Sequence, residues 1–245
     1  MAALCQAMRV CRRFLLWVMG LSFAITLGLV VSLRFIAPPT TAFIAEQALS
    51  AWLSGDIHWR ADYRFVPYAR ISRHVKLAVI SSEDQKFAFH PGFDFDAIDQ
   101  AVKEREQGKR LRGASTLSQQ VAKNLFLWPG PSLVRKGLEA YLTVLIEATW
   151  PKQRILEMYL NIAEFGPGIY GVGAAAPRLF HTDAALLTQR QSALLAAVLP
   201  NPKKLHADHP SAYVQRRADW IMEQMNALGG TRYMRALDPT PHASL

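Results

Sequence analysis

The sequence predicts a mainly α-helical domain behind a single N-terminal membrane-spanning helix. Residues 14–33 form an uncharged apolar segment, and the chain beyond it shows helical spacing of apolar residues with few strand signals. With 245 residues, of which 51% are hydrophobic, the chain can bury a sizeable core and is too apolar to be disordered. Its two cysteines exclude a disulfide framework.

The apolar segment at 14–33 is long enough to cross a bilayer, because twenty helical residues rise about 30 Å. Three arginines and no acidic residue precede it, which predicts that residues 1–13 are cytoplasmic and the rest lies outside. A cleaved signal peptide is the alternative, but its apolar core is usually shorter and no clear cleavage site follows. We therefore expect an uncleaved anchor followed by a juxtamembrane segment at 34–69.

The excess of basic residues restricts the partners of the outer domain. The chain has 28 Lys and Arg against 19 Asp and Glu, and all the acidic residues follow the anchor. A basic domain beside a bilayer predicts contact with membrane lipids or an anionic substrate. Nucleic acid is not expected as a partner, because the domain is placed outside the cytoplasm and lacks a basic-aromatic repeat.

Helices are predicted in order along the domain from apolar spacing, capping residues and helix breakers. Residues 75–81 fit a strand or a helix equally well, and the basic loop at 108–113 is expected to be mobile. Ser115 is the expected N-cap of the second helix. The predicted helices span residues 96–107, 115–127, 134–149, 151–163, 188–200 and 211–228.

Two polar segments could carry chemistry. Glu83 and Asp84 follow an apolar run, and such a pair alone is more often a solvated helix end than a catalytic site. Residues 113–124 open a helix with small residues, so free backbone N–H groups there could hold an anion. Capping and surface exposure explain this segment equally well. The candidate side chains in this segment are those of Ser115, Thr116, Gln119, Gln120, Lys123 and Asn124.

Three further segments have ordinary structural interpretations. Arg135 and Glu139 are four residues apart on the strongest amphipathic helix, where a surface ion pair is the default. The apolar positions of 152–161 indicate packing. Residues 166–171 have G-x-G-x-x-G spacing, but a helix precedes them, so a glycine turn for close packing is favoured over a dinucleotide site. No zinc motif is present, and no metal site is predicted.

Taken in order, these segments resemble the glycosyltransferase module of peptidoglycan synthases. Four family patterns occur at residues 83–92, 113–124, 135–139 and 152–161, namely E-D-x-x-F-x-x-H-x-G, G-x-S-T-x-x-Q-Q-x-x-K-N, R-K-x-x-E and K-x-x-I-L-E-x-Y-L-N. A fifth family region matches 168–180 but departs at Pro177 and at 179–182. The transpeptidase motifs S-x-x-K and K-T-G are absent from the sequence.

The resemblance covers residues 70–210 and implies a fold and a location. The fold would be two-lobed and lysozyme-like, with one lobe partly in the membrane. We assign this glycosyltransferase domain to 70–230 and a C-terminal tail to 231–245. The expected location is the bacterial inner membrane, with the catalytic domain in the periplasm.

The resemblance also implies a reaction and its residues. Lipid II, a disaccharide-peptide on a polyprenyl pyrophosphate, would be polymerised into β-1,4 glycan with inversion and release of the lipid pyrophosphate. Glu83 would be the general base, and Glu139 would position the cations or assist departure. We expect these carboxylates to stand about 6.5–9.5 Å apart, as in inverting glycosidases. The implied substrate-binding residues are Ser115, Thr116, Gln119, Gln120, Lys123, Asn124, Arg135 and Lys136.

No cofactor is expected to be required, and a divalent Mg or Mn ion at the pyrophosphate is an open alternative. The implied partners are lipid II, the growing glycan strand, membrane lipids and other proteins of cell-wall synthesis or division. Two other functions stay open. A lytic lysozyme-like glycosidase would need one catalytic acid and no residues for pyrophosphate. A non-catalytic membrane scaffold would keep its function after Glu83→Gln.

Overall fold

The computed structural model describes residues 2–107 and 115–237. The chain divides into two compact units, Met1–Pro38 and Pro39–Leu245. The first unit contains helix α1 (Ala2–Leu33), whose segment Val10–Leu33 is long and apolar enough to cross a membrane. The basic loop expected to be mobile and most of the predicted C-terminal tail lie outside the described residues.

The second unit is built mainly from helices, so the predicted fold class is confirmed. In a short three-stranded sheet, the strand Ile169–Tyr170 lies in the middle, parallel to Asp62–Tyr63 and antiparallel to Glu164–Gly166. The elements are α2 (Ala42–Leu53), β1 (Asp62–Tyr63), a first 3₁₀ helix (Tyr68–Arg70), α3 (Arg73–Glu83), α4 (Phe95–Glu106), α5 (Leu117–Phe126), α6 (Leu133–Thr149), α7 (Lys152–Ile162), β2 (Glu164–Gly166), β3 (Ile169–Tyr170), α8 (Val172–Phe180), α9 (Gln189–Val198), α10 (Ala212–Ala227) and a C-terminal 3₁₀ helix (Gly230–Ala236).

Two groups of helices form the core of this unit. Helices α3, α9 and α10 pack against one another, and α5 packs against α6, α7 and α2. Residues 75–81, for which the sequence left strand and helix open, lie within α3 and are buried. Burial along the whole run explains the ambiguity, since a fully buried helix has no polar face to reveal its period.

The start of α5 differs from its prediction. The N-cap is Thr116 rather than Ser115, because the residue three positions after Thr116 is Gln119. The two side chains form a capping box, in which each accepts a hydrogen bond from the other's backbone N–H. Thr116 also donates from its hydroxyl to the carbonyl of Gly92 at 2.6 Å. The Ser115 cap is therefore wrong by one residue.

Helix α6 also departs from its predicted burial. The sequence pattern placed one apolar face along the whole helix, but only the C-terminal half of that face is buried, at Leu142, Leu145 and Ile146. The N-terminal half leaves large apolar side chains exposed. These are Leu133, Val134, Leu138 and Tyr141, with Leu133 92% exposed.

Glycines bring α8 close to two other parts of the chain, which confirms the predicted glycine turn for close packing. A Cβ on Gly171 would lie 2.3 Å from the carbonyl oxygen of Asn161, and the φ of Gly171 is +78°. A Cβ on Gly173 would lie 2.1 Å from the carbonyl oxygen of Arg64. Pro177 lies inside α8, which nevertheless continues to Phe180.

Gly173→Ala is expected to destabilise the second unit by about 1–3 kcal/mol or more, because the added methyl group meets a backbone atom that cannot rotate away. Gly137→Ala is the matched control, since Gly137 is also helical and a Cβ there meets nothing within 4 Å. It should stabilise by about 0.5–1 kcal/mol. Urea unfolding in detergent measures both changes, and equal effects would contradict the close approach.

Candidate active site

The C-terminal end of α3 gives its two acidic residues different surroundings. Asp84 is buried, with its Oδ1 2.8 Å from Nε2 of His90. Its Oδ2 accepts a hydrogen bond at 2.9 Å from the backbone N–H of Leu117, the first residue of α5. A carboxylate at a helix N-terminus is favoured by the free N–H groups and the helix dipole. Asp84 thus joins the end of α3 to the start of α5.

Glu83 is half-buried and faces the side of α5. Its Oε2 accepts a hydrogen bond from Nε2 of Gln120 at 3.1 Å. The hydroxyl of Tyr159, on α7, donates to Oε1 of the same amide at 3.2 Å. Because the tyrosine occupies the amide oxygen, the amide nitrogen is directed at the carboxylate. The position of Glu83 is therefore fixed by three helices.

Burial raises the pKa of the Glu83 carboxyl above its ordinary value, and this is the largest effect on it. The hydrogen bond from Gln120 and the charges of Arg217 and Lys123 lower this pKa, whereas the charge of Asp84 raises it. A carboxylate with a raised pKa is a better proton acceptor near neutral pH than an exposed one. These surroundings suit a general base.

Glu139 is not part of an ordinary surface ion pair, contrary to the default interpretation of its sequence spacing. Its side chain is buried, 2% exposed, and its carboxylate contacts two cations of the same helix. Nη1 of Arg135 lies 3.1 Å from Oε2, and Nζ of Lys136 contacts Oε1. The ammonium of Lys136 also lies 3.4 Å from Oγ of Ser115.

Lys123 lies within electrostatic range of both carboxylates. Burial is the main cause that lowers the pKa of its ammonium; the charges of Glu139 and Glu83 raise this pKa, and those of Arg135 and Lys136 lower it. The structure thus brings together three cations and two carboxylates, which leaves an excess of positive charge. We call this group the charged cluster, and it comprises Glu83, Lys123, Arg135, Lys136 and Glu139.

The remaining predicted binding residues fall into two groups. Thr116 and Gln119 are buried in the capping box of α5, so they hold the helix that carries Gln120 and Lys123. Asn124 is half-buried, and its amide oxygen has no hydrogen-bond partner within residues 2–107 and 115–237. Direct substrate contact by these three residues stays a prediction.

The interpretation of 152–161 as mostly structural is confirmed. Glu157 accepts a hydrogen bond at 2.6 Å from the backbone N–H of Tyr68. Asn161 accepts from the N–H of Val66 at 2.6 Å and donates to its carbonyl at 2.9 Å. These bonds fasten the segment before α3 to α7, and α3 in turn carries Glu83.

Several residues of the site were missed by sequence reasoning. Asp84, His90 and Tyr159 stand at motif positions, so a signal existed, but no role was derived for them. Glu147, which contacts Ser118 and lies 2.8 Å from Nζ of Lys152, stands outside every motif. A second such residue is Arg217 on α10, whose charge acts on Glu83.

Within the described part of the chain, no group of three or more His, Cys, Asp and Glu side chains is arranged to hold a metal ion.

Comparison with known proteins identifies the class to which this fold and site belong. The family model described as Transglycosylase matches residues 53–226. The chain belongs to this Transglycosylase family. It is 54% identical over 230 residues to the biosynthetic peptidoglycan transglycosylase of Klebsiella oxytoca, covering 93% of this chain and 95% of that protein.

Two further relatives carry the same name. The protein from Pseudomonas syringae pv. tomato is 53% identical over 210 residues, covering 85% of this chain and 88% of the relative. The protein from Xanthomonas axonopodis pv. citri is 51% identical over 228 residues, covering 92% of this chain and 93% of the relative. The similarity extends over nearly the whole length of these chains.

Glu83→Gln is expected to increase the free energy of unfolding at neutral pH. The folded state raises the pKa of Glu83, so the native protein binds more protons, and stability falls as pH rises from the unfolded to the folded pKa. The amide removes this cost and can still accept the bond from Gln120. Denaturant unfolding in detergent between pH 4 and 8 measures the difference, which should grow with pH and then level off.

Glu223→Gln, at an exposed position of α10, is the control and should show no such growth. A Glu83→Gln protein that is less stable than the parent at neutral pH would contradict the assigned burial cost.

Proposed function

We propose that the chain is a peptidoglycan glycosyltransferase that polymerises lipid II into β-1,4-linked glycan strands with inversion. The observation that carries this proposal is the charged cluster, in which Lys123 lies within electrostatic range both of Glu83, a half-buried carboxylate suited to accept a proton, and of the ion-paired group around Glu139. Membership of the Transglycosylase family and the names of the relatives support the same reaction.

In the proposed step, Glu83 takes the proton of the acceptor 4-hydroxyl as that oxygen attacks the anomeric carbon of the donor. The new glycosidic bond forms on the face opposite the breaking bond to the phosphate oxygen, so configuration inverts in one displacement. The bonding electrons leave with the lipid pyrophosphate. Gln120 holds the carboxylate in place, which keeps its orientation fixed before the reaction begins.

The cations stabilise the negative charge that develops on the leaving group. Lys123 is half-buried and Arg135 is mostly buried, and an ionic contact is stronger where water is excluded. Glu139 fixes Arg135 and Lys136 through direct bonds, which leaves their remaining N–H groups for phosphate oxygens. Glu139 is thus assigned to positioning the cations.

This distribution of charge favours the polymerase over a lytic glycosidase. A glycosidase releases a neutral sugar hydroxyl, which needs a proton from an acid rather than a group of cations. Three cations around the reacting carboxylates are instead suited to a pyrophosphate. A requirement for a divalent ion is not part of the proposal, although such an ion could share the pyrophosphate with these cations.

We also propose the membrane topology from the charge pattern of the anchor. Helix α1 would place its arginine-bearing start in the cytoplasm and the charged cluster on the outer side of the bacterial inner membrane. Membrane lipids would then contact the chain directly. Contacts with other proteins of cell-wall synthesis are a further expectation from this location.

Purified full-length protein in detergent is expected to convert labelled lipid II into glycan polymer. Glu83→Gln should lower the rate by about 10²–10⁴-fold, the typical contribution of a positioned general base. Glu139→Gln should also lower it, because Arg135 and Lys136 lose their shared anchor. Gel separation of the products measures the rates, with Glu223→Gln as the control that retains activity.

An absence of polymer from well-folded parent protein, with and without Mg²⁺ or Mn²⁺, would overturn the polymerase. Cleavage of finished peptidoglycan by that protein would then indicate the lytic enzyme. Full polymerisation by Glu83→Gln would remove Glu83 from the role of base.

The dependence of kcat/KM on pH is expected to be bell-shaped. Activity should fall in acid as Glu83 becomes protonated, at a pKa above the ordinary value for glutamate. It should fall in alkali as Lys123 loses its proton, at a pKa below the ordinary value for lysine. Lys123→Arg should move the alkaline fall in activity to higher pH, since a guanidinium stays charged. An unchanged alkaline limb would assign it to another group.

A further inference from the structure

Two hydrogen bonds in series link the buried phenol of Tyr159 to the candidate base. The Tyr159 hydroxyl donates to Oε1 of Gln120 at 3.2 Å, and Nε2 of the same amide donates to Oε2 of Glu83 at 3.1 Å. Tyr159 lies on α7 and is only 1% exposed. A residue on α7 can therefore influence the carboxylate through the amide between them.

The two ends of the Gln120 amide would act differently on Glu83. The NH2 group of an amide can only donate hydrogen bonds and its oxygen can only accept them, although the two groups are similar in size. With its oxygen toward Tyr159, the amide offers an N–H to Glu83, which stabilises the ionised carboxylate. Rotated by half a turn, it would offer its oxygen, which suits the protonated acid. The orientation of the amide thus decides which form of Glu83 it favours.

The phenol of Tyr159 selects the first of these orientations. If the amide rotated, the hydroxyl proton would lose the acceptor that it has in the structure. A buried donor without an acceptor is unfavourable, because it has already given up its bonds to water. The phenol is held in place by its helix, since Glu157 and Asn161 bond to the backbone N–H groups of Tyr68 and Val66. The amide is therefore oriented against a fixed donor.

Tyr159 acts on Glu83 through this orientation rather than through a charge of its own. Burial, and to a smaller extent the charge of Glu83, raise the pKa of the phenol well above its ordinary value, so Tyr159 is neutral at neutral pH. The charges that act on Glu83 are those of Arg217 on α10, its neighbour Asp84 and Lys123 on α5. Replacing the phenol by a phenyl ring leaves all three in place.

We propose that Tyr159 is a positioning residue, which fixes the orientation of the Gln120 amide and thereby keeps Glu83 ionised and ready to accept a proton. This inference rests on the proposed function, because it takes Glu83 as the base. Burial favours the neutral acid, which cannot accept a proton, and the hydrogen bond from Gln120 opposes that effect. The tyrosine ensures that the amide keeps opposing it.

Tyr159→Phe tests the proposal, because it removes the hydroxyl and keeps the ring. Without its fixed donor the amide can rotate, so we expect the pKa of Glu83 to rise by about 0.5–1 pH unit. Carbon-13 NMR of full-length protein in detergent, with labelled glutamate carboxyl groups, follows this titration. The Glu83 signal is the one that Glu83→Gln removes. The acid fall of kcat/KM should move to higher pH by the same amount.

Tyr233→Phe is the matched control for the loss of a tyrosine hydroxyl near the end of α3. The hydroxyl of Tyr233 donates to the carbonyl of Gln85 at 3.0 Å and accepts from the N–H of Ala88 at 3.2 Å. Its removal should lower stability but leave the pKa of Glu83 unchanged. An equal rise in both variants would indicate a general disturbance of this region, and the inference would be wrong.

Variants at Gln120 test whether the tyrosine acts through the amide. Gln120→Met removes the amide and should raise the pKa of Glu83 at least as much as Tyr159→Phe does. In the Gln120→Met background, Tyr159→Phe should add no further rise, and it should restore stability because both partners of the lost bond are then apolar. An additive rise would overturn the inference. This comparison also decides the matter if Tyr159→Phe alone does not fold.

Two results distinguish failure of the inference from failure of the proposed function. If Tyr159→Phe leaves the pKa of Glu83 unchanged while the parent polymerises lipid II, the inference is wrong and the function stands. If the pKa rises as expected and the well-folded parent forms no polymer, Tyr159 positions the amide as inferred and the proposed function fails.

Discussion

The buried carboxylate of Asp84 holds together the two helices that carry the site. One oxygen contacts His90, and the other accepts the backbone N–H that begins α5. Because Asp84 directly follows Glu83, the placement of α5 relative to the reacting carboxylate is set by the adjacent residue in the chain. Gln120 and Lys123 then follow within two turns of α5. An error in this one contact would move Glu83 and Lys123 apart.

The polar residues around Asp84 fall into two groups: those that hold the helices in place and those of the charged cluster. Thr116 and Gln119 close the first turn of α5, and Glu157 and Asn161 fasten the segment before α3. None of these four needs to contact a substrate for the charged cluster to form. Within the cluster, burial raises the pKa of Glu83 and lowers the pKa of Lys123, and both shifts make the charged form less stable. Such costs are common where chemistry requires them.

The sequence was sufficient for what depends on local pattern. It predicted the helical class and the glycine turn that lets α8 pack closely against neighbouring backbone. It failed where the answer depends on tertiary contacts. The misplaced cap of α5 is a separate case, because the capping box of Thr116 and Gln119 is a local pattern that the sequence contains. The burial of Glu139 was not visible, since spacing on one helix cannot show what covers that helix. Arg217 comes from a distant helix and had no motif.

The exposed apolar half of α6 has a consequence for how the reaction is supplied. Leu133 and Val134 precede Arg135 and Lys136 directly, so a surface better suited to acyl chains than to water adjoins the cations of the site. The proposed lipid-linked substrate would then arrive by lateral diffusion in two dimensions rather than from bulk solution. Under the proposed function, the quantity that saturates the enzyme would accordingly be a mole fraction within the bilayer, and diluting the surrounding medium would leave its rate unchanged.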